Sequence, residues 1–285
     1  MRRQNAVNPA LFAIFIAYAV ARVLEVFSGS IPHLWIVALD VLSATAFAAL
    51  DGPRHYRWRT MLGFALICTV VGNVVENLGV AIGFPFGRYR FLELMGPKVF
   101  QVPVLLGLAY IGMAYVSWML ACLILKAPAS AATSRSIFAV PMLASLIMTT
   151  WDVAQDPVWS TILHGWIWFD GGAWFGVPIT NYLGWYANLF AIYLLFALYL
   201  KRLGPAAIQS ESASSWPAPV FYALCAMGNI LQLATRSASA TVADPTGRSW
   251  AVSQIVAASA IISVACMGTY VYLGWRSMGL RTNQI

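Results

Sequence analysis

The sequence is dominated by long apolar runs, separated by short polar segments. A helix needs about 20 apolar residues to cross the hydrocarbon core of a bilayer, and eight runs reach or approach that length. Only 9% of the residues are charged and 60% are hydrophobic, and no polar stretch is long enough for a separate soluble domain. We therefore predict an all-α fold, a polytopic transmembrane bundle of about eight helices in a single integral membrane domain, residues 1–285.

The segments between the runs locate the expected helices. Their approximate limits are residues 9–27, 31–50, 60–83, 103–125, 137–152, 178–200, 218–235 and 250–275. Pro157 disfavours a helical conformation in the preceding residue, which places Asp156 at or past the end of the fifth helix. Residues 158–169 are aromatic and too short to span. We therefore predict a re-entrant or interfacial aromatic segment between helices five and six.

The first apolar run has two interpretations. Ala19, Val20 and Ala21 resemble a signal-peptide cleavage site, but the run is longer than an ordinary signal core. Arg22 and Glu25 also lie inside it, three residues apart. We therefore interpret the run as a retained first helix, in which these two side chains neutralise one another on an inward face.

The positive charges predict the orientation of the bundle. If eight helices span and the N-terminus is cytoplasmic, most of the 17 Lys and Arg residues lie in inner segments. Positive residues favour the cytoplasmic side, so we predict a multi-pass protein of the cell membrane with both termini in the cytoplasm. The net charge of +7 is located in short loops and does not call for a nucleic-acid partner.

The sequence lacks the patterns of common cofactor sites. The four Cys lie inside apolar runs without metal-pair spacing, and the three His are scattered, which argues against a His-clustered di-iron oxygenase. Neither a Gly-x-Gly-x-x-Gly after a strand nor a Walker loop is evident. Each Lys lies at a helix end or in a loop, whereas a retinal Schiff base needs one in mid-helix. We predict no metal, no cofactor and no retinal photoreceptor.

One stretch, Trp151 to Trp185, gathers acids, amides and indoles between two apolar runs. It holds six of the 12 Trp residues and three carboxylates, and it contains no Lys or Arg. Ionisable groups inside a membrane are functional candidates, because leaving them unpaired in hydrocarbon is expensive. With the predicted orientation, polar residues of helices one, three, five and six share one depth. We predict that they line a common cavity; separate interfacial anchors are the alternative.

An internal similarity supports a common cavity. Residues 100–110 resemble residues 175–185 at an offset of 75, and each segment contains Phe-x-Val-Pro. Glu76 and Asp152 precede the two segments at an offset of 76. Both units would enter the membrane from the same side, so the pattern predicts a parallel repeat, with chance similarity as the alternative.

Carboxyl groups beside aromatic rings permit one kind of chemistry without a cofactor. A carboxyl group in apolar surroundings favours its neutral form and can protonate an alkene. Aromatic faces, Trp above all, stabilise the resulting carbocation, and water held by a second carboxylate or an amide can capture it. The residues therefore favour hydration of an isoprenoid double bond. Two alternatives need no catalysis. Asp152 is then an acid at a helix end whose hydrogen bonds are made by nearby groups, and the Trp residues form a belt at the membrane interface.

Four segments, residues 76–90, 102–103, 152–158 and 174–185, resemble the membrane carotenoid biosynthesis family. That family contains the carotenoid 1,2-hydratases of acyclic ends, such as the bisanhydrobacterioruberin and gamma-carotene hydratases. The resemblance covers residues 60–200, and the outer helices match only in hydrophobicity. It implies cofactor-independent addition of water across the terminal 1,2 double bond of a carotenoid ψ-end. A Tyr often precedes Gly-Val-Pro in the family, whereas Trp174 and Phe175 stand there, which puts the substrate preference in question.

Roles follow for the polar and aromatic residues. Asp152 or Glu76 is the expected proton donor, and Asp156 or Asn181 is expected to position water. Trp151, Trp174 and Trp185 are predicted to surround the cation. Arg88 and Tyr89 are predicted to fix the loop or the charge state of an acid. Asn77 and Asp40 are the remaining predicted substrate contacts. The expected partners are a carotenoid substrate, membrane lipid and other enzymes of carotenoid biosynthesis.

Two alternatives stay open. Asp152 and Asp156 have the spacing of a diphosphate–metal acid pair, and Arg88, Arg90 and Lys98 are potential phosphate ligands, as in a membrane prenyltransferase. A single pair on the outer side fits that reaction poorly, because prenyl diphosphates are cytoplasmic. A carotenoid or lipid transporter is the non-enzymatic alternative, and it predicts a substrate that is moved but chemically unchanged.

Overall fold

Eight helical segments of the described chain are long and apolar enough to cross a membrane, which confirms the predicted fold class. The computed structural model describes residues 8–27, 33–127, 135–210, 213–234 and 239–282. Its helices are α1 (Pro9–Phe27), α2 (His33–His55), α3 (Trp58–Ile82), α4 (Val104–Ile124), α5 (Ser136–Pro157), α6 (Ile179–Leu203), α7 (Pro217–Leu231), α8 (Val252–Ile262) and α9 (Gly268–Thr282). A π-helical turn, Ser263–Met267, joins α8 and α9 into one span. The expected limits at residues 31 and 235 lie outside the described residues.

The predicted end of the fifth helix is wrong. Helix α5 includes Asp156 and Pro157 and continues as a π-helical turn over Val158–Ile162. Proline has no N–H, so the carbonyl four residues before it loses its helical partner. That carbonyl belongs to Val153, and it accepts a hydrogen bond from the indole Nε1 of Trp174 at 3.1 Å. The replacement donor satisfies the backbone, and the helix carries Asp152 and Asp156 one turn apart.

The aromatic segment between the fifth and sixth spans therefore begins as helix and ends as a strand. Strand β4 (Trp166–Trp168) pairs antiparallel with β1 (Tyr89–Phe91), and Tyr89 lies opposite Trp168. Strands β2 (Lys98–Val99) and β3 (Val102–Pro103) form a short hairpin before α4. Strands β5 (Thr241–Ala243) and β6 (Ser249–Ala251) form another between α7 and α8. The β1–β4 pair links the loop after α3 to the loop after α5.

The internal similarity has a structural counterpart. Phe100 and Phe175 occupy equivalent positions, and both adopt the left-handed backbone conformation, with φ of 56° and 51°. Non-glycine residues rarely do so. Ten residues further on, Tyr110 of α4 and Trp185 of α6 stack on one another, with ring centroids 5.1 Å apart and an interplanar angle of 19°. The two units thus meet at equivalent positions.

The predicted pairing of Arg22 and Glu25 is confirmed. Arg22 Nη1 lies 2.6 Å from Glu25 Oε2, and both side chains are buried. Arg22 Nη2 also donates to Asn229 Oδ1 of α7 at 2.8 Å. On the α2 side, Asp40 Oδ1 lies 3.8 Å from Arg22 Nη1. This network joins α1, α2 and α7, and none of its residues lines the candidate active site described below.

Helix α4 is the most enclosed span, and a close helix contact depends on one of its glycines. A Cβ on Gly112 would lie 2.6 Å from the backbone carbonyl carbon of Ala44 in α2. Small residues allow this approach between membrane helices. We expect Gly112→Val to lower the thermal unfolding temperature of the purified protein, because the overpacking costs about 1–3 kcal/mol.

Gly107→Val is the matched control for that substitution. Gly107 lies on the same helix, and apart from the adjoining backbone of α4 no described atom lies within 4 Å of a Cβ built there. Both variants replace helical glycine by the same β-branched residue, so the difference between their unfolding temperatures isolates the α2 contact. Equal temperatures would contradict the tight packing between α2 and α4.

Candidate active site

A cavity lies among α3, α4, α5 and α6 and is bounded on one side by β1 and β4; its empty space, including its open mouth, is about 430 Å³. Its wall contains three carboxyl groups, those of Glu76, Asp152 and Asp156. Two carboxamides, Gln155 and Asn181, also line it, and the rest is aromatic or aliphatic. Among the residues that the structure describes, none of those in the wall is Lys, Arg or His. The predicted acids of α3 and α5 thus meet the predicted amide of α6 in one cavity.

The Asn181 amide bridges the two aspartates. Asn181 lies in the first turn of α6, and its Nδ2 donates to Asp156 Oδ2 at 2.7 Å and to Asp152 Oδ2 at 3.2 Å. Asp156 Oδ1 accepts from the indole nitrogens of Trp166, at 2.9 Å, and Trp168, at 3.5 Å. Both oxygens of Asp156 are therefore held by N–H donors.

Asp152 is less restrained than Asp156. The bond from Asn181 engages its Oδ2, and within the described part of the chain its Oδ1 has no hydrogen-bond partner. The residue is 5% exposed and lines the cavity. Asp152 can therefore hold a proton on Oδ1 and present it to a ligand in the cavity.

Glu76 is held by two tyrosines. Its Oε2 accepts from the Tyr89 hydroxyl at 2.5 Å, and its Oε1 accepts from the Tyr110 hydroxyl at 2.7 Å. Asn188 Nδ2 in turn donates to the Tyr110 oxygen at 3.2 Å. Burial, followed by the charge of Glu76 and the bond to it, raises the pKa of Tyr89 well above its ordinary value. Tyr89 therefore stays protonated and donates, which suits a negatively charged Glu76.

Because the described residues of this wall include no cation, the charge states of the three carboxyl groups depend on their hydrogen bonds and on one another. Buried charges are stable only when they are paired or well hydrogen-bonded. Glu76 and Asp156 each accept hydrogen bonds on both oxygens. Asp152 shares one amide with Asp156, and a second full charge there would repel the first. The arrangement is most stable when Asp152 is the protonated member.

Indole rings surround the acids. Trp151 and Trp185, as predicted from the sequence, lie in the cavity wall and are each 8% exposed. Trp166 and Trp168 also line it, which the sequence reasoning missed. Their Trp-x-Trp spacing has the period of a strand, where alternate side chains share a face. That spacing is the signal that could have identified them.

Of the other predicted contacts, Tyr89 also lines this cavity, whereas Trp174, Asn77, Asp40 and Arg88 lie outside it. Trp174 supports α5 through Val153, as described above. Asn77 Oδ1 accepts from the Gln101 backbone N–H at 3.0 Å and so holds the loop before α4. Asp40 lines a neighbouring cavity. The prediction did not include Gln155, which lines the cavity, or Tyr110, whose hydroxyl donates a hydrogen bond to Glu76.

Arg88 lies on the surface. Its side chain is 68% exposed and pairs with Asp170, with Nε donating to Asp170 Oδ2 at 2.8 Å. This hydrogen bond lowers the pKa of Asp170. Arg88 and Asp170 directly flank the β1–β4 pair, so the ion pair joins the two loops that cover the cavity. Exposed ion pairs of this kind contribute little to stability.

The described residues thus form an integral membrane protein with eight helical spans, and four of these spans, with β1 and β4, enclose a cavity lined by carboxyl groups and indole rings. A sequence model of the family described as carotenoid biosynthesis protein matches residues 34–245. The chain therefore belongs to the carotenoid biosynthesis protein family. The match confirms the resemblance and extends beyond residues 60–200 on both sides.

One similar protein is the bisanhydrobacterioruberin hydratase of Haloarcula japonica. It is 29% identical over 146 residues, which cover 50% of this chain and 47% of the relative. The chain thus aligns with about half the length of that relative. No solved structure matches the chain.

Proposed function

We propose that the protein is a cofactor-independent carotenoid hydratase, which adds water across the terminal 1,2 double bond of an acyclic ψ-end. The observation that carries the proposal is the Asp152–Asn181–Asp156 bridge in a wall of indole rings. Among the described residues, the bridge leaves Asp152 Oδ1 without a hydrogen-bond partner, and Asp152 lines the cavity. The name of the Haloarcula relative supports the same reaction class.

The first step is protonation of the alkene by Asp152. The π electrons of the terminal double bond take the Oδ1 proton and form a C–H bond at C2. C1 becomes a tertiary carbocation, and Asp152 becomes a carboxylate. Protonation at C2 follows Markovnikov's rule, because it places the positive charge on C1, the more substituted carbon of the terminal double bond.

The carbocation is stabilised by the wall of the cavity. The faces of Trp151, Trp168 and Trp185 can approach the cation, and cation–π attraction grows when the pair is desolvated. The carboxylates of Glu76 and Asp156 are fixed before the reaction by their hydrogen bonds, so they stabilise the developing positive charge without reorganising. In apolar surroundings this attraction is stronger than in water.

Capture by water completes the reaction. A lone pair of a water oxygen forms the C1–O bond, and the water loses one proton to the carboxylate cluster. The protonated state of Asp152 is thereby restored, and the product is a tertiary alcohol. Gln155 is suited to orient the water, because it lines the cavity and its side chain has no hydrogen-bond partner among the residues that the structure describes.

We also propose the orientation that the charge distribution favours, with both termini cytoplasmic in the cell membrane. Short loops connect α2 to α3 and α6 to α7 on the side that carries Arg57, Arg59 and Lys201. The β1–β4 pair and the cavity then lie toward the outer surface. The substrate reaches this cavity from the lipid phase.

The test is pigment analysis in a host that makes a carotenoid with a free ψ-end. We expect expression of the chain to produce a pigment heavier by one water, detected by chromatography with mass analysis. A pigment lengthened by a prenyl unit would support the prenyltransferase, and unchanged pigment that changes its location would support the transporter. Unchanged pigment with several ψ-end substrates would contradict the hydratase.

A further inference from the structure

A second cavity adjoins the candidate active site. It has a volume of about 560 Å³ and lies between α2, α4 and α5. We call it the Asp40 cavity; its own wall includes Val37, Asp40, Val41, Ala109, Met113 and Trp159. Leu106, Trp151, Gln155 and Trp166 line both cavities. The two cavities therefore adjoin along a wall that these four residues form.

The active-site cavity is too small for a whole carotenoid. Pockets of about 300–1,000 Å³ enclose drug-sized ligands, whereas the centre of a water-sized sphere can occupy only about 50 Å³ of the active-site cavity. A carotenoid is many isoprene units long, so only its reacting end fits beside Asp152. The rest of the chain must leave through one wall, and the wall formed by Leu106, Trp151, Gln155 and Trp166 leads to another cavity.

The Asp40 cavity suits an isoprenoid chain. Apart from Asp40 and Gln155, its wall is aliphatic, thioether or aromatic. Burying apolar surface in such a wall is favourable by about 25 cal/mol per Å². Asp40 is not an isolated charge in this wall, because its Oδ1 lies 3.8 Å from Arg22 Nη1. The same nitrogen lies 2.6 Å from Glu25 Oε2.

The packing of this region also leaves room for a ligand. Val37, Val41 and Trp159 form a small hydrophobic cluster apart from the main core, and their packing partners, such as Leu105 and Leu108, are themselves only partly buried. The main core instead joins most of the remaining helices. A small separate cluster of this kind can rearrange around a ligand at a lower cost than the main core.

We propose that the Asp40 cavity is the subsite for the isoprenoid chain next to the reacting end, so that α2 and α4 select a long acyclic isoprenoid over a short one. This inference rests on the proposed function, since the reacting end is assigned to the neighbouring cavity. Ala109 is the key position, because its small side chain leaves the α4 side of the subsite open.

The test compares Ala109→Phe with the unaltered chain on two substrates, a ψ-end carotenoid and a short acyclic terpene hydrocarbon with the same terminal double bond. We expect the ratio of carotenoid to short-substrate hydration to fall by about tenfold or more, the scale of pocket discrimination. Val104→Phe is the matched control, because Val104 lies on the same helix and is 44% exposed. It should leave the ratio unchanged. An unchanged ratio in Ala109→Phe would overturn the subsite.

A binding measurement separates failure of the subsite from failure of the proposed function. In a chain that carries Asp152→Asn, carotenoid that co-purifies with the protein is quantified by absorbance per mole of protein. We expect adding Ala109→Phe to lower this amount by about tenfold, the same pocket discrimination, and adding Val104→Phe to leave it unchanged. Equal amounts in all three proteins would overturn the subsite. If Ala109→Phe lowers pigment binding but even the unaltered protein forms no water adduct, the subsite stands and the hydratase proposal fails.

Discussion

Asp152→Asn is expected to abolish formation of the water adduct while leaving the protein folded. Asn has nearly the same shape and can still accept the Asn181 hydrogen bond that Asp152 accepts at 3.2 Å, but it has no acidic proton. General acid catalysis contributes about 10²–10⁴-fold to a rate, so conversion should fall by about that factor. The measurement is the yield of hydrated pigment per mole of protein, with mass detection.

Stability measurements show whether the loss is chemical. The variant removes one of three carboxyl groups from a wall that contains no cation. We therefore expect the thermal unfolding temperature of Asp152→Asn to equal or exceed that of the unaltered chain. Asp152→Glu restores an acid at a shifted position and should recover part of the activity.

Glu76→Gln distinguishes the two candidate donors. Glu76 accepts hydrogen bonds on both oxygens from protonated tyrosines, an arrangement that suits a fixed carboxylate. If Asp152→Asn stays fully active and Glu76→Gln alone loses the water adduct, the donor is Glu76 and the role of Asp152 is wrong. Full activity in both variants would contradict protonation by this cluster.

The apolar runs predicted the membrane fold because hydrocarbon imposes a simple rule on the backbone. Each spanning segment must satisfy its own hydrogen bonds, so length and hydrophobicity locate the helices. The rule failed at Pro157. The donor that compensates for proline comes from Trp174, 21 residues after the Val153 carbonyl. A local pattern contains no information about such a long-range contact.

The sequence also predicted that acids of different helices meet in one cavity, but not how their side chains are held. Intramembrane position is sufficient to single out Glu76, Asp152 and Asp156. The protonation roles depend on partners from other elements, such as Tyr89 in β1, Tyr110 in α4 and Trp166 in β4. The repeat offered a partial route, since Tyr110 occupies the position equivalent to Trp185. Its contact with Glu76 required the packed structure.

Asn181→Leu is expected to be the most destabilising substitution in the cavity. Leu has a similar size, but it removes the N–H groups that reach Asp156 at 2.7 Å and Asp152 at 3.2 Å. A buried acceptor left without its donor costs about 1–3 kcal/mol, and more when it is charged. We expect a clear fall in the unfolding temperature of the purified protein together with loss of the water adduct.

A second substitution in the same chain separates the two effects of Asn181→Leu. Asp152 and Asp156 lie one helical turn apart, where side chains are neighbours, so Asn at position 152 can donate an amide N–H to Asp156. We therefore expect Asp152→Asn to raise the unfolding temperature of the Asn181→Leu protein, whereas the water adduct should stay absent because the acid is gone. Residues that share a bond couple in this way, by about 0.5–3 kcal/mol in a double-mutant cycle. If Asp152→Asn changes the unfolding temperature equally in the Asn181→Leu protein and in the unaltered chain, the two effects are additive. The amide then does not bridge the aspartates, and Asp152 must hold its proton for another reason.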